Sequence, residues 1–345
     1  MSTKLTTSQR LYTFSKLRQI LANPDQDLTA LINSAQQKNP WFTPLNVHKA
    51  IDGIVAMLNE DDLQEWFSQW AHLADKGEQK KVGLILAGNI PMVGFHDLLC
   101  VMAAGHIALI KLSSQDQDLI KYITNKLIEL EPAFAEQIQY IDRLQGFDVV
   151  IATGSNNSSR YFDYYFASVP HIIRKNRNSV AVLTGQETPE EIQALGQDIF
   201  TYFGLGCRNV SKVFLPQGFN PGFLYEPLEA FASITDHYKY VNNYDYNKSI
   251  YLVNGDQHYD NGFLLLKQDE RLSSPLAVLY YEEYTSLDSV INSLSMQTDQ
   301  IQCIASATPL DLPNQVVPLG GTQSPKLWDY ADGFNTMDFL LNKQS

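Results

Sequence analysis

A cysteine bracketed by glycines, in the run Gly204-Leu-Gly-Cys207-Arg-Asn209, is the most pointed chemical feature of the sequence. Glycine reaches positive φ and lets another molecule approach the main chain closely. A cysteine there can present its sulfur in a cleft with its own backbone N–H beside it, as a nucleophile needs. A small residue buried at a tight turn leaves the same pattern, since free cysteine is among the most buried residue types. Two further segments end apolar runs in polar turns. Leu84-Ile-Leu-Ala-Gly88-Asn89-Ile-Pro91 sets an amide where a developing oxyanion can be met. The competing reading is a plain turn in which Asn tolerates unusual dihedrals. Val150-Ile-Ala-Thr153-Gly154-Ser155 ends in a turn whose exposed N–H groups, with the Ser155 hydroxyl, suit a dinucleotide phosphate. No G-x-G-x-x-G supports an ordinary dinucleotide fingerprint. Cys100 and Cys303 lie in apolar runs and are expected in the core. The seven histidines show no metal-ligand spacing, so no metal is expected, and His96 and His106 are assigned solvated or capping roles.

These turns need strands and helices to position them. The first 75 residues read as helices, with Leu11, Phe14, Leu17, Ile20 and Leu21 at helical spacing and Thr43-Pro44 as a cap followed by a first-turn proline. From Val82 the pattern becomes apolar strands alternating with amphipathic helices, as in a parallel sheet covered on both faces. A second series starts near Ser179-Val-Ala-Val-Leu, continues through a helix over 189–203 and the strand Val213–Leu215, and resumes with strands at 263–266, 276–281 and 301–306. The Tyr- and Asn-rich stretch 216–260 has no assigned pattern. The fold class is α/β, with three expected segments: helices over 1–75, an α/β unit over 76–175 with 310–345 as an optional completion, and a second α/β unit over 176–309 that carries Cys207.

Composition narrows the partners. With 38 acidic against 25 basic residues in 345, the net charge of −13 repels a phosphate backbone, so no nucleic acid is expected. The first ten residues lack the apolar core of a signal peptide, and no apolar stretch approaches the ~20 residues that span a bilayer. A soluble, cytoplasmic protein is expected. Three scattered cysteines make no disulfide framework.

Taken in order, the three segments resemble the aldehyde dehydrogenase superfamily, whose members carry an Asn before Ile/Phe-Pro, a Lys-x-Ser after the next strand, a Thr-Gly-Ser turn and a Gly-flanked catalytic Cys. Ala104-Gly-His-Ile-Ala-Leu-Ile-Lys111-Leu-Ser113-Ser114 is similar to the element that holds the adenosine ribose there. Within the superfamily the likeness is to the LuxC-type fatty acyl reductases and covers about residues 80 to 290. It implies a Rossmann-type cofactor domain, a second α/β catalytic domain, Cys207 as nucleophile and Asn89 as oxyanion donor. Lys111, Ser113, Ser114, Thr153, Gly154 and Ser155 are then the cofactor contacts. The chain is shorter than a typical member, which implies a reduced oligomerisation region; a homo-oligomer is still expected.

Departures from the pattern carry as much information. Hydrolytic members place a water-activating Glu about thirty-odd residues before the cysteine, whereas Arg174 lies 33 positions before Cys207. An acyl enzyme without that base is suited to thiol exchange or hydride rather than water. Ser114 stands where NAD-selective members carry a ribose-binding Glu. Its repulsion of a 2′-phosphate is gone and Lys111 can pair with one, so NADPH is the expected cofactor. Arg271 falls where a Glu orients the nicotinamide ribose, with Glu270 one position away. The resemblance thus implies NADPH-dependent reduction of a long-chain acyl-CoA or acyl-protein thioester to the aldehyde, served by an acyl-transferring or acyl-activating partner protein. Two alternatives stay open: a CoA-acylating aldehyde dehydrogenase running in the oxidative direction, and a non-catalytic acyl-binding or scaffold subunit.

Overall fold

Helix starts follow their capping side chains. In the computed structural model, which describes residues 4–154 and 156–341, Thr6, Asp25, Thr43 and Asn59 each accept a backbone N–H at the head of α1 (Thr7–Ala22), α2 (Gln26–Lys38), α3 (Pro44–Met57) and α4 (Glu60–Lys76). Pro44 takes the first position of α3, where its missing N–H is harmless. The chain divides into two compact units, Met1–Asn176 with Pro325–Ser345, and Arg177–Ser324.

The first unit contains a five-stranded parallel sheet built from β1 (Lys81–Ile85), β2 (Ile107–Lys111), β3 (Ile138–Tyr140), β4 (Val149–Thr153) and β5 (His171–Arg174), in the order β3-β2-β1-β4-β5. Three helices link them: α5 (Phe95–Ala103), α6 (Gln117–Leu130) and α7 (Asn156–Tyr165). The interior residues of β1, β2 and β4 are buried, which explains their continuous apolar runs. The expected separation of residues 1–75 is corrected here. Phe14 of α1 packs on Phe67 of α4 and on Phe134, which follows α6, so the N-terminal helices share a core with the sheet unit.

The second unit holds a seven-stranded sheet in the order β12-β11-β6-β7-β10-β9-β8. Its strands are β6 (Asn178–Val182), β7 (Val210–Pro216), β8 (Tyr259–Asp260), β9 (Leu265–Gln268), β10 (Val278–Tyr284), β11 (Ile301–Ala305) and β12 (Gln315–Val317). All neighbours are parallel except β8 and β9. The helices are α8 (Pro189–Phe200), α9 (Tyr225–Leu228), α10 (Tyr238–Asn254) and α11 (Leu287–Ser295). Because β12 pairs with β11, the return to the first unit begins at Pro325 rather than at 310. That return ends in α12 (Thr336–Leu341) and is pinned inside the first unit: Trp66 Nε1–H donates to the Tyr330 hydroxyl at 2.8 Å, and His96 and His106 reach the carbonyls of Leu327 and Leu340. His106 is 2% exposed, so it staples this segment instead of being solvated. No described helix is long and apolar enough to cross a membrane.

Candidate functional site

Cys207 lies in the second unit, on the loop that leads from α8 into β7. It is half-buried, whereas Cys100 on α5 and Cys303 on β11 are buried. Burial pushes the Cys100 thiol well up, away from the reactive thiolate. Three consecutive residues before the cysteine loop are left-handed: Tyr202 (φ 53°), Phe203 (φ 59°) and Gly204 (φ 79°). Glycine takes this conformation freely, but each aromatic residue there costs on the order of 1–3 kcal/mol, and such strain gathers where function requires it.

Asn209 is what holds the loop. Its buried side-chain amide donates to the carbonyls of Asp198 (3.0 Å) and Thr201 (2.8 Å), and its oxygen accepts the Gly206 N–H at 2.8 Å. The Asn209 N–H closes back on the Gly206 carbonyl at 3.0 Å. On the other side, the Ser179 hydroxyl donates to the Cys207 carbonyl at 3.0 Å. Cys207 is thus fixed by its two flanks. A cavity of about 40 Å³ opens beside the loop, lined by Phe203, Gly204, Tyr240, Leu276 and Val278 among others. Ser211 and Ser274 also line it, their hydroxyls donating to the Leu272 and Val278 carbonyls, so its wall mixes apolar side chains with polar groups. Asn209 and Ser179 escaped the sequence reading; the polar Arg-Asn pair directly after Cys207 was the available signal.

In the first unit, the described candidates all fall on the carboxyl edge of the sheet. Asn89 follows β1, Lys111 ends β2 with Ser113 and Ser114 after it, and Thr153 ends β4 with Gly154 after it. Strand order reverses between β1 and β4, the place where open parallel sheets take nucleotides. Ser155 lies outside the described residues. Asn89 is exposed and its own φ is not positive; Met92, three residues on, is the left-handed residue (φ 54°). Tolerance of unusual dihedrals therefore does not account for Asn at 89. Its loop is anchored by Asn39 Nδ2 donating to the Gly88 carbonyl (3.2 Å) and by the Met92 N–H donating to Asp116 (2.7 Å). Burial raises the Asp116 carboxyl to about 8. Gly88 approaches Ser113 so closely that a Cβ would stand 2.4 Å from its hydroxyl, and one on Gly154 would meet Phe162 of α7 at 2.8 Å. Lys111 and Ser114 are exposed, the ammonium making one long contact to the Asp142 carbonyl at 3.4 Å. This edge fits a dinucleotide: a crevice at the strand reversal, close main-chain approaches, a cation at β2 and no carboxylate at 114.

The departures have structural explanations. Arg174 is 3% exposed and donates to the Asp97 carboxylate (2.8 Å), the Ala331 carbonyl (2.5 Å) and the Thr336 hydroxyl (2.7 Å), all within the first unit. It ties β5 to α5 and the C-terminal segment and has no basic lone pair to offer water. Arg271 closes bidentately on Asp269, at 2.9 and 2.6 Å, and holds that carboxyl down at about 2. Glu270 is exposed, and its carbonyl takes the Lys212 ammonium at 2.8 Å. Nearby Ala277 (φ 64°) is another left-handed residue. Among the described residues no group of His, Cys, Asp and Glu is placed to hold a metal ion.

No family model and no curated protein matches the sequence. Solved structures match the fold. Aldehyde dehydrogenase 21 from Physcomitrella patens, determined with the reaction product succinate, superimposes with a TM-score of 0.67 over 98% of this chain and 84% of that one, at 11% identity. An aldehyde dehydrogenase of Mycobacterium tuberculosis complexed with NAD+ gives 0.64 over 92% and 78%, at 12% identity. An E. coli NADP-dependent enzyme gives 0.64 over 92% and 78%, at 14% identity. At such identities the likeness is one of fold, and the chain has the α/β fold of aldehyde dehydrogenases: a Rossmann-like parallel sheet, a second sheet unit and N-terminal helices.

Proposed function

We propose that the protein reduces an acyl thioester, a long-chain acyl-CoA or acyl-protein, to the aldehyde with NADPH, as LuxC-type reductases do. The observation that carries this reading is the setting of Cys207: half-buried, on a multiply anchored loop that follows three left-handed residues, two of which, Phe203 and Gly204, line a cavity. In the proposed reaction the Cys207 thiolate forms a bond to the thioester carbonyl carbon. The Cys207 N–H and the Asn89 amide are the assigned donors to the oxyanion, each such donor being worth about 10²–10³ in rate. Collapse breaks the carbon–sulfur bond to the leaving thiol, which takes up a proton, and an acyl-cysteine remains. A reduced nicotinamide, with Lys111, Ser113, Ser114, Thr153 and Gly154 as its assigned holders, supplies the hydride when bound. Cys207 then releases the aldehyde from the thiohemiacetal and returns as thiolate. Arg174, committed to Asp97, supports reduction over hydrolysis because no carboxylate stands at its position to activate water. Delivery of a long chain points to an acyl-transferring or acyl-activating partner protein.

Intact mass spectrometry after mixing with a long-chain acyl-CoA tests this reading. Wild type, Cys100→Ala and Cys303→Ala should each carry one acyl group and form aldehyde with NADPH, and Cys207→Ala should do neither. Asn89→Ala should keep its fold and lose about 10² in turnover. A Cys207→Ala protein that still makes aldehyde would end the proposal.

A further inference from the structure

We infer that Asp198 is a positioning residue for the nucleophile, acting through a strap that runs from Gln315 to Thr322. The inference rests on the reading of Cys207 given above. Asp198 sits on α8, fully buried, and its carboxylate is gripped by three donors from the strap: the Gly320 N–H at 2.6 Å, the Thr322 N–H at 2.9 Å and the Thr322 hydroxyl at 2.7 Å. A buried carboxylate is costly unless it is satisfied in this way, so its presence calls for a task. The strap is seated tightly on α8. Gly320 is left-handed (φ 84°), and a Cβ there would stand 3.0 Å from that of Ala194.

The strap in turn holds the residue beside the nucleophile. Arg208 Nε–H donates to the Thr322 carbonyl at 2.6 Å, and its Nη2 donates to the Gln315 side chain at 2.6 Å. Asp198 also reaches the loop from its main chain, because its carbonyl accepts Asn209 Nδ2 at 3.0 Å while Asn209 Oδ1 accepts the Gly206 N–H. A closed ring results, running from the Asp198 carboxylate through Thr322 to Arg208, past Cys207 to Gly206, through Asn209 and back to the Asp198 carbonyl. Cys207 is the one residue of the loop's tip that lies between both arms. Small displacements of a reacting group are expensive in rate, which gives such a ring its value.

The test combines amide exchange with acylation kinetics on the full-length protein, using Asp198→Asn, Thr322→Val and Thr322→Ser. The first replaces a pure acceptor with a group that presents N–H to N–H; the second removes the Thr322 hydroxyl, which donates to Asp198 and accepts from Gln323 Nε2 at 3.2 Å; the third restores it. Asp198→Asn and Thr322→Val should speed exchange across 204–209 by about tenfold or more while β10 keeps its protection. They should also slow acyl transfer from acyl-CoA to Cys207 by about tenfold to a hundredfold, with half-saturation changed less than about twofold. Thr322→Ser should behave as wild type. Unchanged exchange at 204–209, or exchange that rises equally throughout Arg177–Ser324, would overturn the inference by reducing Asp198 to a general stabiliser. If Asp198→Asn does not fold, Thr322→Val decides. Exchange needs no substrate, so a wild type that never acylates would end the functional reading and leave the positioning question answered.

Discussion

Ser114 shows how much one missing side chain can decide. A carboxylate at that place would accept from ribose hydroxyls and repel a 2′-phosphate. The exposed serine has no charge with which to repel, and Lys111 at the end of β2 gives up only a 3.4 Å contact to meet an anion. A charge-assisted contact of about 1.5–3 kcal/mol corresponds to roughly one to two orders of magnitude in affinity. Titration of both reduced cofactors should show wild type preferring NADPH, Ser114→Glu losing NADPH binding strongly and NADH binding little, and Lys111→Ala narrowing the gap; a wild type that prefers NADH would contradict this. His106 makes a second residue-scale prediction. Its Nδ1 accepts the Lys80 N–H at 3.3 Å and its Nε2 faces the Leu340 carbonyl at 3.0 Å, which together require the neutral ring protonated on Nε2. Burial lowers its pKa from 6.5 to about 4. The unfolded chain therefore takes up a proton that the folded chain refuses: above pH 6.5 the residue has no effect, and as pH falls from 6.5 to 4 stability drops by up to about 3 kcal/mol. Urea titrations between pH 7 and 4 should show this loss in wild type and not in His106→Gln, whose amide can keep both hydrogen bonds. The sequence reading gave His106 a solvated or capping role and missed its burial, because an isolated histidine carries no sign of the distant carbonyl that it meets. The position of Asn89 just after β1 was legible for the opposite reason, as it follows a recognisable strand.

At the scale of elements, α8 leads into the cysteine loop and has a glycine in its interior. Gly196 costs the helix about 1 kcal/mol relative to alanine. It is there because the Phe231 ring lies 2.2 Å from where a Cβ would stand, and that ring is itself stacked on Phe200 at 5.1 Å. Overpacking of this kind costs about 1–3 kcal/mol, so Gly196→Ala should lower the stability of the second unit, as read by urea denaturation followed by circular dichroism, despite its better helix propensity. A stabilised variant would mean the ring moves aside freely. The element most obscure in the sequence is α10. Its buried face is Tyr240, Tyr244, Asn247 and Tyr251, a helical spacing hidden in residues that do not count as apolar. The structure shows how tyrosine serves there: rings face inward and hydroxyls leave through the Phe263 carbonyl and the Asp260 carboxylate. Strand–helix alternation made β1, β2, β4 and α6 legible. The short β3 and β5 were missed because three or four residues carry too little pattern.

Across the whole molecule, the division near 176 coincides with the second strand series expected from the sequence, whereas the return at 325 could not be read from composition, because no linker marks it. It is set by strand pairing: β12 takes its place beside β11, and only the residues after Ser324 return to the first unit. All four tryptophans, Trp41, Trp66, Trp70 and Trp328, belong to that unit, so indole fluorescence follows its unfolding alone while circular dichroism follows both. The second unit is in topological terms an insertion, with both of its ends leading back into the first. Tension therefore has an obligatory order. Held by residues 4 and 341 and drawn apart, the chain loads the first unit from both sides, and the second feels no pull until the first has given way. A force spectrum should then show the fluorescent unit break first, followed by release of Arg177–Ser324 as about 500 Å of extended chain. The unit that carries Cys207 is mechanically sheltered by the one that encloses it in sequence, and a trace in which its length appears first would mean that the inserted unit is not loaded in series behind its host.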